Sequence, residues 1–145
     1  MFTRQLNDDN KHSKVLTYTN IRLIQLYFSL RKNIINYKDI NLISFFNYGI
    51  MYFVISVYSD NQQSALKYLK GTKASLNNIL IMIGEFNIRD NNLDPLYPHH
   101  SIYVDTLREI SDSFNLELSI PIAQVSTQYT DNSQDSNLVL DHVFL

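Results

Sequence analysis

An α/β fold is what this 145-residue chain predicts, on three observations. Two apolar runs, residues 50–58 and 79–83, are rich in β-branched and aromatic residues and read as inner strands, the second of them buried on both faces. Between them Ala65, Leu66, Tyr68 and Leu69 fall on one side of a helix that Asp60 or Asn61 would cap and Gly71 would end. Strand, crossover helix, strand is the repeating unit of a sheet with helices packed on it.

Composition sets the outer limits. Apolar residues make up 45% and charged residues 18%, the balance of one globular domain rather than a disordered chain. There is no cysteine, so disulfides, zinc–thiolate sites and thiol catalysis are excluded. A net charge of −2 gives no general pull toward nucleic acid, so any such contact must come from a local patch. Asn41, Ser44, Asn47 and Gly49 interrupt the most apolar stretch, which makes it a poor membrane span. The amino terminus is polar and mixed in charge, without the features of a signal peptide. The expectation is a soluble, intracellular chain with no membrane partner.

Residues 1–13 form a polar amino-terminal segment, expected to be frayed or a loop. Residues 14–20 read as a strand, while residues 21–30 fit a helix period and a strand about equally. Arg31, Lys32 and Lys38 make a modest basic stretch. Residues 41–46 and 50–58, joined through Asn47-Tyr48-Gly49, predict an antiparallel hairpin. Residues 90–101 carry Pro95 and Pro98 and read as a loop; the adjacent His99 and His100 point apart there and make no metal site. Val104, Leu107, Ile110 and Phe114 mark an amphipathic helix from about residue 102 to 114. Residues 115–119 read as a short strand, residues 131–137 as a polar loop, and residues 138–145 as a hydrophobic strand around Asp141 and His142.

The chemistry is concentrated where the run Ile79-Leu80-Ile81-Met82-Ile83 ends, at Gly84-Glu85-Phe86-Asn87. Gly84 would let the backbone turn, and an acid and an amide follow just past the apolar run. In open α/β sheets the carboxyl ends of strands are where polar groups converge on a ligand. If the chain stays extended, Glu85 and Asn87 point to the same side. A carboxylate can bind a divalent cation or take a proton, and an amide can orient a phosphoryl oxygen without adding negative charge.

Residues Ile83-Gly84-Glu85-Phe86-Asn87-Ile88-Arg89-Asp90 resemble the Gly-Asp-Phe-Asn motif of the endonuclease/exonuclease/phosphatase superfamily, which has the DNase I-like fold. The likeness is greatest to the endonuclease domains of non-LTR retrotransposons, where the motif runs into a loop with a Trp-Asp or similar pair, here Leu93-Asp94. Glu85 stands where those domains have Asp. Val57-Tyr58 resembles the strand end that delivers a side chain to the scissile phosphate. Thr127-Gln128-Tyr129 followed by Ser136-Asn137-Leu138-Val139-Leu140-Asp141 is similar to the pattern that closes these domains. By that alignment Asp141 matches the acid that orients the catalytic His, whereas His142 lies within a strand and is not the general base.

The resemblance implies an incomplete DNase I-like four-layer sandwich, two central β-sheets flanked by helices, formed by residues 14–145. It implies a metal-dependent endonuclease-like domain of retroelement origin acting on DNA or another phosphodiester. Tyr58, Glu85, Asn87 and Asp141 would form the site, with Glu85 and Asn87 on a Mg2+ ion. The family's opening metal-binding Glu and the strand with its catalytic His have no counterpart in the 145 residues, so impaired activity is expected. The alternative is an inactive remnant or a weak nucleic-acid or protein interaction module. Missing terminal strands would also leave sheet edges available for self-association.

Overall fold

The structure, a computed structural model, describes residues 2–5, 17–20, 29–31, 34–72, 76–93, 99–119 and 141–145. In chain order the described elements are β1 (Phe2–Gln5), β2 (Thr17–Asn20), β3 (Ser29–Leu30), β4 (Ile40–Asn47), β5 (Ile50–Tyr58), α1 (Ser64–Thr72), β6 (Ile79–Glu85), α2 (Ile102–Ser113), β7 (Leu118–Ser119) and β8 (Asp141–Phe144). The α/β expectation holds. Strands β1 and β2 pair antiparallel in a small sheet, and the others form one mixed sheet in the order β3-β4-β5-β6-β8-β7. Among the described strands only β5 and β6 run parallel, with α1 between them in the chain.

The β4–β5 hairpin turns on Tyr48 and Gly49 between the paired residues Asn47 and Ile50. Both turn residues have positive φ, 48° and 79°, the conformation that lets a two-residue loop match the strand twist.

One face of the sheet carries the core. Leu42, Ile55, Met82 and Phe144 form a register row across four adjacent strands, and none is more than 3% exposed. Above this face lie Ala65, Leu66 and Leu69 of α1 and Val104, Leu107 and Ile110 of α2, all buried in the same apolar cluster. Burying each such side chain is worth about 1.5–3 kcal/mol, and these contacts fix the level of the strands beneath. Strand β6 is not buried on both faces as its composition suggests. Leu80 and Ile83 are each 41% exposed, because the described helices cover only the Met82 side.

Three further expectations are corrected. The amino-terminal segment is not all loop, since Phe2–Gln5 pairs residue for residue with Thr17–Asn20. Gly71 does not end its helix, which runs on to Thr72. Of residues 115–119 only Leu118 and Ser119 are strand. The expected loop at 131–137 and residues 21–28 of the ambiguous stretch lie outside the described residues.

Gly84 does not turn the chain either, because β6 continues through it to Glu85. Its reason is close approach. A Cβ on Gly84 would lie 1.8 Å from the carbonyl oxygen of Val57 and 2.7 Å from its carbonyl carbon, on the neighbouring strand. Only a residue without a side chain lets β5 and β6 come together where the site begins.

Candidate functional site

The parallel pairing of β5 and β6 brings Tyr58 level with Glu85, and the antiparallel pairing of β6 and β8 brings Asp141 level with Glu85. Three of the four residues singled out in the sequence therefore share one register row across three adjacent strands. The row lies one residue beyond the Val57–Gly84–His142 row. Strand alternation thus places Tyr58 and Glu85 on the side of the sheet away from the helices. Both are half-buried. The ladder persists past the strand ends, with the Ser59 amide donating to the Glu85 carbonyl at 2.8 Å.

Asn87 takes a different direction from the one its spacing suggests. Its φ is 50°, so the chain is no longer extended at this residue and the i, i+2 alternation with Glu85 is broken. Asparagine tolerates the left-handed region better than most residues. The turn aims its Nδ2 at the Ser59 carbonyl oxygen, 2.7 Å away at the end of β5. That bond uses one of the two Nδ2 hydrogens, so the second N–H and the Oδ1 atom are the side chain's remaining ligand-binding groups.

Beneath this contact lies Gln63, a residue the sequence did not single out. It is 1% exposed and also has a positive φ, 58°. Its Nε2 donates to the carbonyls of Phe86 at 3.0 Å and Asn87 at 3.3 Å, and its Oε1 accepts from the Ser59 hydroxyl at 2.8 Å. One buried amide thus clamps the end of β5 to the backbone that follows β6. A Gln between Asn61-Gln62 and Ser64 gives no sequence cue to that role.

Neither Asp60 nor Asn61 takes the N-cap position of α1, which falls to Gln63, but Asp60 braces the turn that leads into the helix. Its carboxylate accepts from the Ser64 amide at 2.9 Å and the Ser64 hydroxyl at 3.0 Å, and the hydrogen bond from the Ser64 amide holds its pKa below the ordinary value. Asp90 is the other functional-looking acid and is fully buried. One of its oxygens accepts from the Asn92 amide at 2.7 Å and the Asn92 side chain at 2.8 Å. The other accepts from the Ser101 amide at 2.6 Å and faces His100 Nδ1 at 2.8 Å. Burial pushes its pKa up, but these hydrogen bonds and the neighbouring His100 outweigh burial and leave it lowered. Asp90-Asn91-Asn92 is an Asx-turn sequence, which was the available cue.

His142 is 5% exposed on the covered side of the sheet, its ring 6.3 Å from that of Phe86. Of the basic stretch, Arg31 Nε donates to the Ser44 hydroxyl at 2.7 Å and Lys38 lies 3.9 Å from Asp39. Lys32 lies outside the described residues. Among the described residues no group of three or more His, Cys, Asp or Glu is placed to hold a metal, His99 and His100 included. The oxygen donors Glu85 and Asn87 nevertheless have the hard chemistry that suits a Mg2+ ion keeping most of its water.

Beside the row, on the helix side of the same strand ends, a cleft of about 410 Å³ is lined by Asn61, Gln63, Asn87, Arg89, Ser101 and Tyr103. Among the described residues no helix is long and apolar enough to cross a membrane.

No protein-family model and no curated protein sequence matches the chain. Among solved structures, the chain is similar to the endonuclease domain of TRAS1, a telomere-specific non-LTR retrotransposon. The TM-score is 0.61 at 14% sequence identity, over 81% of this chain and 54% of that one. At that identity the likeness is one of fold. The chain spans about half the length of the TRAS1 domain.

Proposed function

We propose that this chain is part of a metal-dependent, phosphodiester-cleaving endonuclease-like domain of retroelement origin, with DNA or a related phosphodiester as substrate. The observation that carries the reading is the single register row of Tyr58, Glu85 and Asp141, with Asn87 held at its margin. A nuclease-type fold in the structural neighbour supports it.

In this reading Tyr58 donates a hydrogen bond to a non-bridging phosphate oxygen from the end of β5. Asn87, fixed through Ser59 and Gln63, donates its second Nδ2 hydrogen to the same phosphate without reorganising. The Glu85 carboxylate and the Asn87 amide oxygen are the groups that would hold Mg2+. When bound, that ion neutralises charge on the phosphoryl oxygens. Asp141, at the far end of the row, matches the acid that orients the catalytic His in the resembling domains. Glu85 carries one methylene more than the Asp of the resembling motif, and misplacement by about an ångström costs roughly a hundredfold in rate. Impaired activity follows.

A second reading, an inactive remnant or a weak nucleic-acid or protein interaction module, is favoured by one observation. The histidine adjoining Asp141 is buried on the opposite side of the sheet from the row. Incubating the protein with supercoiled plasmid and Mg2+ separates the two. Slow nicking by the wild type, faster nicking by Glu85→Asp and none by Glu85→Gln is the expected pattern. No nicking by either the wild type or Glu85→Asp would leave the second reading standing.

A further inference from the structure

The cleft beside the row has a charge character that its surroundings explain. Three carboxamides, two hydroxyls and one guanidinium line it, and none of its lining residues carries a carboxylate. Arg89 is exposed and forms no ion pair among the described residues. A second cation stands at the rim, since Lys67 Nζ lies 5.8 Å from the centroid of the Tyr103 ring and is held by the Gln62 carbonyl at 2.7 Å. The acids next in sequence to Asn61 and Arg89 direct their carboxylates onto other partners. Asp60 is turned onto Ser64, and Asp90 lies buried among Asn92, His100 and Ser101. Arg89 is therefore the charged side chain on the lining of the cleft.

Position supplies the second argument. Asn87 lines the cleft on the helix side and borders the row, whose Tyr58 and Glu85 lie on the other side of the sheet, so the two spaces meet over the strand ends at Asn87. A phosphodiester held at Tyr58, Glu85 and Asn87 would continue as a strand to either side. The cleft is the adjoining space that offers a guanidinium to an anion and neutral donors around it. Arg is suited to this task, because its planar fork can meet two phosphate oxygens at once.

We infer that this cleft is a flanking-phosphate subsite, in which Arg89 contacts the phosphate next to the one handled at the row, with Asn61 and Tyr103 as its neutral partners and Lys67 at its rim. The subsite rests on the reading that the strand ends handle a phosphodiester. Its ligand is the backbone of a nucleic-acid strand, not a free phosphate ion. Arg89 acts in binding, and the chemical step belongs to the row.

The test uses the full chain in EDTA, so that no cleavage occurs, with a fluorescein-labelled 12-mer of single-stranded DNA followed by anisotropy across a salt series. Arg89→Ala should weaken binding roughly tenfold. It should also lower the slope of log K against log salt by about 0.7, the value for one lost phosphate contact on a single strand. Arg89→Lys should keep the slope and lose only part of the affinity. Lys70→Ala, which removes a cation paired with Glu109 at 2.7 Å, controls for general charge and should change little. Arg89 is exposed, so its replacement leaves the fold intact, and circular dichroism checks this.

Three results would overturn the inference: no binding by the wild type, an unchanged slope in Arg89→Ala, or full competition by inorganic phosphate at matched ionic strength. The plasmid assay is read separately. Nicking that depends on Glu85 together with an indifferent Arg89 ends the subsite and spares the proposed function. Arg89-dependent binding without nicking ends the catalytic reading and spares the subsite.

Discussion

Replacing Asp90 is the sharpest test of how the loop beside the site is held. Its carboxylate is fully buried and accepts from the main-chain amides of Asn92 at 2.7 Å and Ser101 at 2.6 Å. The side chains of Asn92 and His100, also at 2.8 Å, are exposed and can turn to water. In Asp90→Ala the two amides lose their acceptor, and each buried donor left unpaired costs about 1–3 kcal/mol. Water reaching the vacated space recovers part of this, so the expected loss is about 3 kcal/mol at pH 7 by urea unfolding. The pH dependence has a definite sign. The pKa of Asp90 is lowered in the folded state, because hydrogen bonds outweigh burial. Its contribution is therefore complete above the unfolded value of about 3.9 and is lost as pH falls through the folded value. Asp90→Asn has no proton to gain there, so the stability gap between wild type and Asp90→Asn should narrow as acid is added below about pH 4. An Asp90→Ala protein within about 0.5 kcal/mol of wild type, or a gap that ignores pH, would refute the argument.

Gly84→Ala should cost about 3 kcal/mol or more, since its Cβ would meet the Val57 carbonyl oxygen at 1.8 Å and inner strand β5 cannot retreat. Thermal unfolding within a degree or two of wild type would contradict that contact. Gln63→Leu keeps the volume but strips partners from the Ser59 hydroxyl and the Phe86 and Asn87 carbonyls, and it forces Leu into a φ of 58°. A loss of about 2–4 kcal/mol is expected in urea unfolding, with a neutral result ruling out the clamp. Magnesium titrated into the wild type by calorimetry should bind no tighter than about 1 mM, roughly 4 kcal/mol, because Glu85 and Asn87 supply few ligands. Micromolar affinity would mean a better-assembled site.

What the sequence conveyed and what it withheld divide along a physical line. The β5–α1–β6 unit was legible because its signal is an average over many apolar side chains, which no single neighbour can reverse. Tyr58 and Glu85 were placed at the two strand ends for the same reason, and their common level follows once the strands are parallel. The structure departs wherever one residue's backbone angle or one tertiary approach decides. Asn87 leaves the extended conformation because Ser59 offers its carbonyl, a partner 28 residues away. Gly84 is a glycine because of Val57 on the next strand, not because of a turn in its own. Phe2–Gln5 is strand only through β2, since a segment alternating Phe2, Thr3, Arg4 and Gln5 has little burial of its own to announce it.

These long-range contacts also explain why the candidate site can tolerate an altered acid while keeping its frame. The frame is main-chain. Ser59 bonds to the Glu85 carbonyl, Asn87 to the Ser59 carbonyl, and Gln63 to the carbonyls of Phe86 and Asn87. None of these bonds uses the Glu85 carboxylate, so lengthening the acid by a methylene leaves strand ends, register and the Asn87 conformation where they are. The cost falls on the position of two oxygens alone. Restoring Asp at position 85 should therefore change phosphodiester chemistry without changing stability, whereas Gln63→Leu should damage stability first. That separation is what a site built on backbone hydrogen bonds requires, and a Glu85→Asp variant that unfolded more readily than wild type would show the acid to be part of the frame.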